Sequence, residues 1–231
     1  MFLLARLVLV LGFAFSAASV QGQTWVPPAN EPVAGPIVTF QRSNAGWQAT
    51  VSLPEPAIAI AWRLGDQGSW NDTGLLDTID QRTGRRTPNP AFPLDADMPA
   101  TTIYLRYATA SGQTPGPFSY HFDPMTELVR GERQILEMLP GSWVEFRAFN
   151  GLLLYFTHLV SYRCGIGELR IGIDSPTPDR LIALPPCDLR NPGSVPQGFD
   201  PMLKVPVSTR FASVQIKYLD STVSEVKQFR R

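Results

Sequence analysis

Trp47-Gln48-Ala49-Thr50-Val51-Ser52-Leu53 and, four residues on, Ile58-Ala59-Ile60-Ala61-Trp62-Arg63-Leu64 decide the fold class. In the first stretch Trp47, Ala49, Val51 and Leu53 share one face while Gln48, Thr50 and Ser52 share the other, because successive side chains of a strand alternate. In the second, Ile58, Ile60, Trp62 and Leu64 stand against Ala57, Ala59, Ala61 and Arg63. Each stretch predicts a strand with one buried face. Working outward, residues 36 to 42, 75 to 79, 92 to 94, 102 to 108 and 118 to 122 bring the count to about seven strands, separated by turn residues. With 22 prolines and 18 glycines spread through the chain, long helices are hard to place, and an all-β protein is expected.

Residues 36 to 123 resemble the small bacterial sandwich modules of the immunoglobulin or fibronectin type III kind that accompany envelope and sugar-processing proteins. The resemblance is carried by Ala61-Trp62-Arg63-Leu64-Gly65-Asp66 before a turn and by Phe118-Ser119-Tyr120-His121-Phe122-Asp123 at the close of the unit. The immunoglobulin inter-sheet cysteines are missing, so a fibronectin-like variant is the better comparison. What the resemblance implies is a module that binds, spaces or orients partners and commonly lacks catalytic residues of its own. It transfers no functional residue to this chain.

Met1 to Arg6 supply a short cationic start, and residues 7 to 18 form an apolar run of signal-peptide length followed by small residues. That run is short for a bilayer-spanning helix of roughly 20 residues, and no second one follows. Residues 1 to 22 are expected to be a cleaved signal peptide, and the mature protein to be exported with no membrane span. A Gram-negative periplasm is the expected compartment, with secretion beyond the cell as the alternative. The signal segment contains Arg6 and no acid, so of 20 basic and 20 acidic side chains the mature chain keeps 19 and 20. No overall field favours nucleic acid.

Residues 23 to 35, with Pro27, Pro28 and Pro32, read as a proline-rich linker into the sandwich at 36 to 123. Asp123-Pro124 then supplies an N-cap and a first helical residue, and Met125, Leu128, Val129, Leu136 and Leu139 lie near one face of a helix that ends at Pro140-Gly141. This helix opens a second β-domain over residues 124 to 231, sandwich-like in character. In it Asn150-Gly151 reads as a two-residue hairpin turn, which sets Phe146 opposite Tyr155, Val144 opposite Thr157 and Trp143 opposite His158. A central strand is expected from residue 152 to 163, followed by strands at 167 to 173, 180 to 184, 204 to 207, 212 to 219 and 222 to 229. The most basic point of this half is Lys227-Gln228-Phe229-Arg230-Arg231.

Cys164 and Cys187 are the only two cysteines; an even count in an exported chain predicts a disulfide stapling the second domain. The rival readings are weaker: a metal pair lacks further ligands, and redox catalysis would favour a CxxC spacing. Asp66, Asp72, Asp77 and Asp80 cluster in loops without the spacing of an EF-hand, so they read as solvated turn carboxylates and no metal is expected. The chain has two histidines and no GxSxG elbow, HExxH helix or phosphate loop. His121 falls on a polar strand face. His158, near Glu145 in the expected register, is the one candidate general base, though a satisfied, half-buried histidine is the plainer reading.

No catalytic residue and no cofactor follow from these patterns. The expected function is non-catalytic binding of another cell-envelope or extracellular protein, the alternative being a carbohydrate-binding or carbohydrate-processing accessory protein. Candidate contact residues are Trp70 in a polar loop, where an indole can stack on a sugar or anchor a protein; Arg85 and Arg86 in a basic turn; and His158, Tyr162 and Arg163 beside the disulfide.

Overall fold

The computed structural model describes residues 35–43 and 45–231, so the expected signal peptide and nearly all of the proline-rich linker lie outside the described residues. Through the first half the chain runs β1 (Ile37–Ser43), β2 (Gly46–Ser52), β3 (Ala57–Leu64), β4 (Asn71–Asp72), β5 (Leu75–Asp80), β6 (Arg85–Pro88), β7 (Ala91–Leu94), β8 (Thr101–Thr109) and β9 (Phe118–Phe122). Antiparallel pairing sorts them into a three-stranded sheet, β1-β2-β7, and a four-stranded sheet, β4-β3-β8-β9. Strands β5 and β6 pair only with each other, as a hairpin inserted between β4 and β7. Strand 75 to 79 therefore belongs to that hairpin rather than to the sandwich.

The inward faces bury Trp47, Ala49 and Val51 from β2 against Ile103, Leu105 and Tyr107 from β8. Trp62 lies flat on Phe92 at 4.5 Å between ring centroids, and Phe122 meets the edge of Trp47 at 5.3 Å. The alternation of β3 is broken at one point. A register shift between Ala57 and Ala59 turns Ala57 inward to 4 % exposure, where strict alternation puts it outside.

The second half runs α1 (Pro124–Met138), β10 (Glu145–Ala148), β11 (Leu152–Tyr155), α2 (Thr157–Ser161), β12 (Ile166–Ile173), β13 (Arg180–Ile182), β14 (Met202–Val205), β15 (Phe211–Tyr218) and β16 (Lys227–Arg230). Its sheets are β10-β11-β14 and β13-β12-β15-β16. Leaving the inserted hairpin aside, each half has seven strands, and they pair in the same order: first, second and fifth in one sheet; fourth, third, sixth and seventh in the other. The protein is an all-β chain built as two sandwiches of one immunoglobulin- or fibronectin-like topology in tandem.

Two expectations for the second half are corrected. Ala148 pairs with Leu152, so the β10–β11 loop has three residues, Phe149-Asn150-Gly151. Asn150 and Gly151 take φ 48° and 119°, and the Phe149 N–H donates to the Gly151 carbonyl. The extra loop residue moves the register by one, putting Glu145 opposite Tyr155 and Phe146 opposite Leu154. The strand expected to run to residue 163 stops at Tyr155. Helix α2 and a 3₁₀ turn over Arg163–Gly165 follow, because Leu159 and Val160, adjacent in sequence and both fully buried, need a helical turn to face one core together.

Candidate functional site

Helix α1 begins as its sequence dictates, with the Asp123 carboxylate accepting the Thr126 N–H at 2.9 Å and proline in the first turn. Its buried stripe is Leu128, Glu132 and Leu136; Met125 and Leu139, placed on that face by the sequence reading, stand exposed at 41 % and 49 %. Leu128 packs into the core of the first sandwich and Leu136 into that of the second. Glu132, midway between them, is 5 % exposed.

The Glu132 carboxylate accepts the backbone N–H of Gly165 at 2.9 Å and that of Cys164. Burial pushes its pKa up to about 7, against the pull of those two N–H groups and of the Arg163 charge. Gly165 is what lets α1 come so near: a Cβ there would lie 3.2 Å from the Arg133 nitrogen and 3.3 Å from the Glu132 Cβ. Arg163, 3 % exposed, points the other way and holds carbonyls. Its Nε donates to Pro186 at 2.9 Å, and its Nη1 reaches Val160, Pro192 and Ser194 at 2.6 to 3.0 Å. Its Nη2 is buried without a partner.

Between Arg163 and Gly165 sits Cys164, bonded to Cys187 with the Cα atoms 4.8 Å apart. The Cys164 side chain packs with Leu128 and Phe40 in the core of the first sandwich. The disulfide therefore lies at the joint between the sandwiches, not inside the second one. A pocket of about 360 Å³ opens beside it, lined by Arg163, both cysteines and the Leu184-Pro185-Pro186 segment.

A separate cleft of about 930 Å³ lies between β1, α1 and the Arg190–Gly193 segment. Phe40, Leu128 and Ile135 contribute its apolar wall; Arg42, Arg130 and Arg190 bring cations. Arg130 is paired with Glu127, and Arg42 lies over the Trp47 ring and donates to the Arg190 carbonyl at 3.3 Å. Tyr162 is the one sequence-selected candidate that lines this cleft. His158 meets the Tyr162 ring edge-on at 4.9 Å; burial lowers its pKa, and its Nε2 has no hydrogen-bond partner. Glu145 pairs instead with Arg147 at 3.0 Å. His158 lies on α2, so the corrected register separates it from the strand partner that would have made a base and its orienting carboxylate.

The other candidates lie on the first sandwich. Trp70 folds onto the outer face of the β3–β8 pair, where the Arg106 and Arg63 guanidinium groups lie 4.1 Å and 5.0 Å from its ring centroid. Arg63 also lies over Tyr104, whose hydroxyl donates to Asp66. Arg86 reaches the Leu76 carbonyl at 2.9 Å and the Asp77 carboxylate at 2.5 Å; Arg85, opposite Asp80, is exposed. Each loop aspartate has its own partner: Tyr104 for Asp66, the Gly74 N–H for Asp72, Arg86 for Asp77 and Arg82 for Asp80. Among the described residues no three metal-ligating side chains gather.

What the sequence reading did not select is the exposed apolar surface of the β5–β6 hairpin: Leu75, Leu76 and Ile79 are 49 %, 39 % and 58 % exposed. Glu132 is a second residue outside the expected set, and its signal in the sequence is its place four residues from each of two stripe leucines.

No protein-family model matches the chain, and no curated protein matches it. Among solved structures, the alpha chain of the chicken interferon gamma receptor is similar with a TM-score of 0.36 and 10% identity, over 86% of this chain and 98% of that one. So distant a likeness carries no argument about function. The class of protein is defined by the tandem sandwich itself.

Proposed function

We propose that this chain is an exported, non-catalytic protein that binds another envelope or extracellular protein, and that the β5–β6 hairpin makes the contact. One observation carries the proposal. Leu75, Leu76 and Ile79 expose large aliphatic side chains on a two-stranded unit that pairs with neither sheet of its sandwich, beside the exposed Arg85. Large exposed apolar side chains beside polar ones are what contact surfaces are built from. Trp70 supports a glycan-binding role less well, since two guanidinium groups already stack on its ring.

Capture from the producing cells tests the proposal, with a photo-crosslinking residue placed at Leu76. A reproducible protein partner, lost in Ile79→Glu while the melting curve holds, is the expected result. A partner captured equally by wild type and Ile79→Glu removes the hairpin from the interface, and no partner at all overturns protein binding. Cell fractionation of the same strain distinguishes a periplasmic from a secreted protein.

A further inference from the structure

We propose that the end of the second sandwich opposite α2 seats on an anionic membrane surface. It belongs to the other sandwich from the hairpin and goes beyond the protein-binding role. The register brings three segments together there. Ala148 opposite Leu152 closes the Phe149-Asn150-Gly151 turn, and Leu152 opposite Val205 lays the β14–β15 loop beside it. A Cβ on Gly151 would lie 3.5 Å from the Lys204 Cε. Phe211 opposite Arg230 adds the close of β16, whose neighbour Arg231 donates from Nη1 to the Val207 carbonyl at 2.8 Å and from its N–H to the Arg210 carbonyl at 3.1 Å.

This end carries the two most exposed large apolar side chains among the described residues, Phe149 at 69 % and Val207 at 67 %. Around them stand Lys204, Arg210, Arg230 and Arg231, all exposed. None of the four enters an ion pair among the described residues, whereas Arg147 on the same hairpin is neutralised by Glu145. Two acidic side chains share the region. Asp174 is occupied by the backbone N–H groups of Arg210 and Phe211 at 2.8 and 3.2 Å, and Asp179 lies in the β12–β13 loop, leaving an excess of positive charge.

The shape favours lipid over an acidic protein. Phe149 stands on a three-residue hairpin turn and Val207 on the loop between β14 and β15, and neither of the two pockets at the joint reaches them. A phenyl ring on a hairpin tip needs only to enter the headgroup and acyl boundary, while long cationic side chains around it reach lipid phosphates. No described helix is long and apolar enough to cross a membrane.

Flotation of the full-length protein, processed as its cells export it, with vesicles of phosphatidylcholine containing phosphatidylglycerol tests the proposal against pure phosphatidylcholine. Binding to the anionic vesicles is expected, weakened about 5-fold for each cation removed in Arg230→Ser and Arg231→Ser. Phe149→Ser should lose binding at unchanged melting temperature, and Phe149→Trp should shift its added emission to the blue on anionic vesicles. Equal flotation with both vesicle types, binding indifferent to these variants, or no flotation overturns the proposal. Failure to float combined with Phe149-dependent retention on immobilised polyglutamate assigns the surface to an acidic protein instead. Because Ile79→Glu alters the other sandwich, vesicle binding and partner capture fail independently.

Discussion

Glu132 shows how one side chain sets the chemistry of the joint. A carboxyl raised from 4.5 to about 7 binds more protons folded than unfolded between those values, so it opposes folding increasingly as pH rises through that window. The shift corresponds to about 3 kcal/mol of stability present at pH 4 and lost by pH 8. Glu132→Gln should flatten that part of the pH profile, read as urea midpoints at pH 5 and pH 8; a profile as steep as wild type would assign the dependence elsewhere. Arg163 acts in the opposite sense, since its guanidinium gathers four carbonyls from Val160 and the 186–194 segment. Arg163→Ala should cost about 3 kcal/mol or more, because those carbonyls lose a charged donor in a buried place. Urea unfolding measures that loss. The burial of Arg163 was not legible in the sequence: its position next to a cysteine is visible, but not the loop that returns over it.

At the scale of elements, the start of α1 was written in Asp123-Pro124, and Asp123→Ala should lower stability by about 1 kcal/mol through the lost cap, checked by thermal melting. The face of α1 was only half readable. Leu128 and Leu136 are buried, while Met125 and Leu139 point to water, because the helix meets two separate cores rather than one continuous surface. The Asn150-Gly151 pair marked the turn, yet the choice between a two- and a three-residue loop rests on which residues close the ladder, and Phe149 looks equally strand-like in both. Likewise Leu152 to Tyr162 is apolar enough for either a strand or a helix; the burial of Leu159 and Val160 decided it in three dimensions.

For the whole molecule, period-two alternation in β2, β3 and β8 was sufficient to identify an all-β chain. The shared topology of the two sandwiches was not visible, since strand order is set by pairing across long stretches of chain. The two cores also use different side chains: Trp62 stacked on Phe92 in one, Leu169, Ile171 and Ile216 in the other. The disulfide was legible as a bond and not as a location. Since Cys164 packs in the first core while its turn belongs to the second half, Cys187→Ser should lower the melting temperature of the molecule by an amount equivalent to about 3 kcal/mol. It should also loosen both sandwiches, read as faster amide exchange at Leu128 and at Leu159 alike. Exchange that rises only in the second sandwich would confine the bridge to it.

The two leucines of α1 act as a pair of keyed teeth on one shaft. Eight residues separate Leu128 from Leu136, which sets the two anchors about 12 Å apart along the axis and fixes the angle between them. A residue inserted between them would rotate one anchor by about 100° relative to the other, and the sandwiches could then keep their cores only by swivelling about the helix. The same insertion placed in the 175–179 loop leaves that phase untouched. Length variation in this protein should therefore be tolerated in its loops and refused in eight residues of helix, and small-angle scattering of the two insertion variants would show which of them changes the outline of the molecule.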